Sequence, residues 1–142
     1  MKLPVLDGGR KGFKPFNPSY PMLKITPRFY PVRVIAFIKN ETEMDISVEN
    51  RGSETYWVET DVILPEELSL SAEKQLRSGR LRVGMIPPNE IKTSRCKIYA
   101  NSETCPGLYR IGIIGYSFNK EGVIAKKDET KTELRCARVG EK

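Results

Sequence analysis

Short apolar runs cut by turn residues about every 8–12 positions limit most narrowly what this chain can fold into. The pattern is clearest between residues 85 and 118. Pro87-Pro88-Asn89-Glu90 ends one run and opens the next, over residues 91–100. A turn over 101–107 then leads into residues 108–118, the longest aliphatic and aromatic run in the sequence. Residues 43–49 alternate strictly. Met44, Ile46 and Val48 point one way, and Glu43, Asp45, Ser47 and Glu49 the other, as in a strand with one wet face.

The same reading predicts strands over residues 22–25, bounded by Pro21 and Pro27, and over 32–39, with a turn at 40–42. Residues 55–64 and 80–86 follow, the latter with Leu81, Val83 and Met85 on one face. In residues 91–100, Cys96 and Ile98 face the core. Residues 108–118 are apolar on both faces, which predicts a central strand with both faces covered. Asn119-Lys120-Glu121-Gly122 makes a hairpin turn, and the returning strand (123–125 and 132–139) is interrupted by Lys126-Lys127-Asp128-Glu129. Residues 68–79 read as an extended crossover or a short helix. The count is seven to nine strands with almost no helix: an all-β chain, folded as an antiparallel sandwich. Residues 1–31 read as a basic Pro/Gly-rich arm with one short strand, and 32–139 as the sandwich.

The net charge of +6 is unevenly placed. Seven basic side chains against Asp7 fall within residues 1–33 (Lys2, Arg10, Lys11, Lys14, Lys24, Arg28 and Arg33), while residues 41–67 carry nine acids against Arg51 alone. In the arm, Phe13, Phe16 and Tyr20 interleave with Lys11, Lys14 and prolines. Aromatics beside cations suit stacking on nucleic-acid bases or docking on a partner, or they lie on their own domain. Arg10, Lys11, Phe13, Lys14, Phe16, Lys24, Arg28 and Arg33 are therefore candidate contacts to a partner or nucleic acid. If the alternation through 55–64 is unbroken, the only tryptophan, Trp57, shares an acidic outer face with Glu59 and Asp61. That makes the three a second candidate contact set, unless a bulge turns the indole inward or the arm covers it.

Histidine is absent, which removes the commonest general base and metal ligand. The three cysteines form no C-x-x-C pair. Gly8-Gly9-Arg10-Lys11-Gly12 lacks the Gly-Lys-Ser/Thr ending of a phosphate loop. No enzyme and no cofactor or metal is expected. No run reaches eighteen apolar residues, and the N-terminal residues lack the apolar stretch of a secretory signal, so the expected location is cytoplasmic. A single glutamine beside many Lys, Arg and Glu resembles the usage of proteins from hot environments. A regular hairpin centred on residues 119–122 puts Cys105 opposite Cys136, close enough for a disulfide if no net bulge intervenes; two reduced thiols are the alternative.

Four motifs carry a family resemblance over residues 32–139. They are Val48-Glu49-Asn50-Arg51-Gly52, Leu64-Pro65-Glu66-Glu67-Leu68-Ser69, Ile86-Pro87-Pro88-Asn89-Glu90 and Cys105-Pro106-Gly107-Leu108-Tyr109. Their order and spacing resemble immunoglobulin-like sandwich domains, in particular the cell-adhesion-related CARDB domains and the sandwich appended to bacterial alpha-galactosidases. Asn89 stands where glycine is usual. The resemblance implies adhesion or spacer roles with no shared active site. It also implies that Tyr109 packs its ring inward while its hydroxyl caps nearby backbone.

Three functions follow as expectations. The first is a non-catalytic interaction or structural module, binding an unknown protein partner or itself. The second is a nucleic-acid-binding protein using the basic arm. The third, by resemblance alone, is an accessory domain for carbohydrate or an envelope component.

Overall fold

A computed structural model describes residues 21–141. Every element in it is a strand: β1 (Leu23–Tyr30), β2 (Arg33–Ile35), β3 (Asn40–Asn50), β4 (Tyr56–Ile63), β5 (Ser78–Ile86), β6 (Ile91–Ala100), β7 (Gly107–Phe118) and β8 (Ile124–Ala137). They form two sheets. Sheet A is three-stranded, in the order β1-β3-β6; sheet B is five-stranded, in the order β2-β8-β7-β4-β5. The inner faces meet in one apolar core. Met44, Ile46, Val48 and Ile98 come from sheet A, Val58, Val62, Ile111, Ile113 and Leu134 from sheet B, and Leu64 and Leu68 from the segment between β4 and β5. The alternating residues of β3 thus bury their apolar half completely.

The expected antiparallel arrangement holds for every strand pair but one. β2 runs parallel to β8, with Val34 opposite Cys136, so sheet B is mixed. The predicted strand over 32–39 shrinks to β2, because Phe37 takes a left-handed backbone conformation (φ 67°) and breaks the extended run. The Asn40 side chain then satisfies the freed backbone, accepting from Ile35 N and donating to Ile35 O and Ile38 O. β1 does not stop at Pro27. It is an edge strand, where a residue without an N–H is tolerated, and Pro27 pairs with Ile46. Residues 68–77 contain no helix; Ser69 bridges to Tyr99 instead.

Two bulges redirect faces that simple alternation misplaced. In β5 the register jumps between Val58–Gly84 and Glu59–Arg82, with Gly84 at φ 112°. Met85 is consequently exposed and Ile86 buried, instead of Met85 sharing a face with Leu81 and Val83. In the β7–β8 hairpin a second irregularity beside Phe118, together with a wider turn, places Cys136 opposite Gly107, so Cys105 is not its cross-strand partner. Cys96, Cys105 and Cys136 are free thiols. β8 runs unbroken through Lys126-Lys127-Asp128-Glu129, because Asp128 points inward and is needed there.

Asp128 joins the sheets. Its carboxylate accepts from the backbone of Met22 (3.1 Å) and Leu23 (2.9 Å) at the start of β1, and the Lys126 ammonium lies 3.6 Å away. Its pairing partner, Gly115, leaves room for β1 side chains. A Cβ there would sit 2.9 Å from Ile25 Cδ1 and 3.0 Å from Leu23 Cδ1. Removing the carboxylate leaves two backbone donors unpaired. Asp128→Ala is therefore expected to cost about 2–3 kcal/mol of stability in denaturant unfolding, with faster amide exchange in β1 than in β3.

Candidate functional site

The two outer faces differ in kind. On sheet A the acids of β3 are flanked by bases from both neighbours. Lys24 pairs in register with Glu49 and Arg28 with Asp45 across β1–β3. Across β3–β6, Arg95 bonds Asp45 at 2.9 Å and Lys97 meets Glu41 at 3.1 Å. The acidic stretch 41–67 is thus divided between the two sheets, and its sheet A half is matched by cross-strand bases. Lys24 and Arg28 face these acids, and Arg33 lies on the other sheet, beside Arg135. The structure does not gather these three into one basic patch. Arg10, Lys11, Phe13, Lys14 and Phe16 lie outside the described residues.

Sheet B reads differently. Following the registers across β8, β7, β4 and β5 gives successive rows of outward residues. The first is Ile124–Phe118–Trp57–Met85, the second Lys127–Tyr116–Glu59–Arg82 and the third Glu129–Ile114–Asp61–Arg80. The first row is apolar across four strands. Ile124 is 50 %, Met85 51 % and Trp57 37 % exposed. With Thr55, Asn119 and Lys120 the last three members of that row line an open groove of about 350 Å³. The two rows beside it are charged.

Specific bonds hold this mosaic. The Trp57 indole donates to Glu59 Oε2 at 2.8 Å, which fixes the ring's orientation. The Arg80 guanidinium grips Asp61 with two bonds of 2.7 and 3.0 Å, reaches Glu59 at 3.4 Å, and lies 4.6 Å from the centroid of the Tyr116 ring. The Tyr116 and Phe118 rings are tilted 34° to each other, with centroids 6.5 Å apart. The bond from Arg80 holds the Asp61 carboxyl below its usual range, against a smaller opposing effect of burial, and the nearby Tyr116 hydroxyl adds to the lowering. Sequence reasoning found Trp57, Glu59 and Asp61 and placed them on one outer face, where they are. It missed Met85, Phe118, Ile124, Tyr116 and Arg80. Phe118 and Ile124 follow from the hairpin register, but Met85 requires the bulge at Gly84.

Behind the apolar row the interior holds Tyr56, Val58 and Ile86 together with two hydroxyls. Thr60 and Ser117 point inward from β4 and β7, and their hydroxyls have no hydrogen-bond partner. Among the apolar groups of this inner face, Thr60, Ser117, Gly115 and Asp128 form a small polar and slender patch that Leu23 and Ile25 of β1 pack against at Gly115.

Among the described residues no group of three or more His, Cys, Asp or Glu side chains is placed to hold a metal ion, and no helix is long and apolar enough to cross a membrane. Cys96 is buried enough that its thiol is pushed up to about 11. No protein-family model matches the chain, and neither does any curated protein.

The Arg80–Asp61 pair predicts a pH signature. Asp61 has a folded pKa below its unfolded value, so its contribution to stability is complete above the unfolded pKa and is lost as pH falls through the folded one. Arg80→Met is expected to move the Asp61 titration upward in carboxyl NMR, and to lower stability at neutral pH by an amount that shrinks in acid.

Proposed function

We propose that this is a non-catalytic protein-interaction module of the immunoglobulin-like type, and that the outer face of sheet B is its contact surface. Three features support the immunoglobulin-like assignment. The strand order sets β1, β3 and β6 against β8, β7 and β4, corresponding to A, B and E against G, F and C. The Tyr109 hydroxyl donates to Cys105 O at 2.6 Å, four residues upstream, as in the corner tyrosine of such domains. Asn89 fills its glycine-like turn position with φ 67°, a conformation asparagine tolerates.

The contact surface rests on one observation, the apolar row Ile124–Phe118–Trp57–Met85. An exposed tryptophan held rigid by Glu59, next to a methionine and ringed by charged side chains, has the composition of an interface anchor. The face of sheet A is mostly matched charges, which are strongly hydrated and contribute little when paired at a surface, and its exposed apolar residues, Tyr30 and Ile91, stand apart at its two ends.

The test compares what the immobilised chain retains from an extract of its own cells, and whether it retains itself. Trp57→Ser/Met85→Glu is expected to weaken binding roughly thirtyfold or more, the equivalent of about 2 kcal/mol at an anchor residue. Lys97→Glu, on sheet A, is expected to leave it intact. Retention that ignores the double substitution would remove sheet B as the contact face. Retention of short DNA or RNA that falls steeply with salt, and is equally indifferent to Trp57, would move the function to the basic N-terminal residues.

A further inference from the structure

Beyond that reading, we propose that the chain pairs with a second copy of itself along the open edge of β8, which joins the two B sheets into one. β2 occupies this edge only beside Arg135, Cys136 and Ala137, and among the described residues no strand pairs with it from Ile124 to Leu134. Ala137 O accepts from Ala36 N, so the odd-numbered residues of β8 turn their backbone groups toward this edge, while the even-numbered ones turn theirs toward β7. The N–H and C=O groups of Lys127, Glu129, Lys131 and Glu133 thus present a ready template for another strand, and their side chains are exposed.

The other edges are guarded against such pairing. β2 is 3 residues long. β1 carries Pro27 with Lys24 and Arg28, β5 its bulge at Gly84 with Arg80 and Arg82, and β6 Lys92, Arg95 and Lys97. None of these three strands holds an acid, so each would meet its own copy as like charge. On β8 the sign alternates along the outer face, through Lys127, Glu129, Lys131 and Glu133. Such a row is complementary to itself when two copies run antiparallel. The inward charges of β8 do not oppose this, since the side chains of Lys126 and Asp128 are already only 8 % exposed and lie 3.6 Å from each other.

Backbone and charge together select one register. For odd residues to face odd ones, the two-fold axis must pass beside a residue and not between two. An axis at Thr130 sets Lys127 against Glu133 and Glu129 against Lys131, each twice, with about eight ladder hydrogen bonds. An axis at Lys131 would set that lysine on itself and Glu129 on Glu133. Ala125 is the extra residue between the pairings of Ile124 and Lys126, so β8 bends where it would otherwise run on into β2 of the other copy. The contact is isologous and closes at two copies. Its axis stands perpendicular to the sheet, so the dimer offers two apolar rows on one side, at opposite ends.

Light scattering on the full chain reads the assembly, and the unchanged protein is expected to reach a dimer as its concentration rises. Lys131→Glu and Glu129→Lys each turn two attractive pairs into repulsive ones, and each is expected to weaken the dimer roughly tenfold or more. Within their own sheet these residues stand opposite Gly112 and Ile114, so melting curves should be unchanged. Mixing the two variants restores opposite signs, and a heterodimer as strong as the original is expected. Glu129→Lys/Lys131→Glu in one chain should restore the dimer likewise. A chain that stays monomeric at millimolar concentration would overturn the proposal, as would two weakened variants that fail to pair on mixing. A dimer indifferent to both reversals, or lost instead in Trp57→Ser/Met85→Glu, would also overturn it by moving the contact off this edge. The reading of the sheet B face is tested apart from this. Self-association that answers to Lys131→Glu alone leaves Trp57→Ser/Met85→Glu to report on the outside partner.

Discussion

The Asn50 side chain fixes how the chain's crossings meet at one end of the molecule. It is fully buried at the end of β3. Its amide nitrogen donates to Glu54 O at 2.7 Å and Ile86 O at 2.8 Å, and its oxygen accepts from Gly52 N at 2.8 Å. Its backbone pairs with the turn at Asn89 and Glu90. One residue therefore ties the β3–β4 turn, the end of β5 and the start of β6. An aspartate of the same shape would supply no donors, and a buried carbonyl left unpaired costs about 1–3 kcal/mol. Trp57 follows this tie closely in β4, and Met85 immediately precedes Ile86 in β5. The alignment that puts Trp57 opposite Met85 is thus set by a polar group in the interior, and the apolar row inherits its rigidity from it.

The charge distribution shows why a sequence-level asymmetry need not survive folding. Along the chain the acids of residues 41–67 look like a continuous negative block. In the structure β3 sends its acids to one outer face and β4 sends its own to the other, and each group meets bases from neighbouring strands. Exposed pairs such as Arg95–Asp45 contribute about 0–1 kcal/mol apiece, so they do little for stability. Their effect is on register and hydration: a slip of one residue along β3 would turn Met44, Ile46 and Val48 outward and bring the acids into the core.

What could be read in advance follows the same logic. Residues 43–49 and 56–62 alternate against a single apolar core, so their faces, including the outward Trp57, were legible from period two alone. The capping bond of Tyr109 was legible from the motif that carries it, whereas the left-handed turn at Asn89 was not read in advance. The face of Met85 and the pairing of Cys136 were not legible, since the first depends on a bulge and the second on a bulge together with a wider turn, and neither carries a periodic signal. Asp128 was misleading for a different reason. Among four consecutive charged residues it reads as an exposed edge, whereas its burial is justified by backbone donors of β1 more than a hundred positions away in sequence.

At the end of sheet B that carries the apolar row the inner face is mixed: Tyr56, Val58 and Ile86 are buried there, beside Thr60 and Ser117. Thr60 and Ser117 are buried without partners, at a cost of about 1–3 kcal/mol each, while Phe118, Trp57 and Met85 line the outer surface. Ser94 of β6 carries a third such hydroxyl on the other sheet, while Ile111, Ile113, Val62 and Leu134 are fully enclosed. Scattered surface apolar residues need no explanation, but four aligned across neighbouring strands form a continuous strip, and water is a poor permanent neighbour for it.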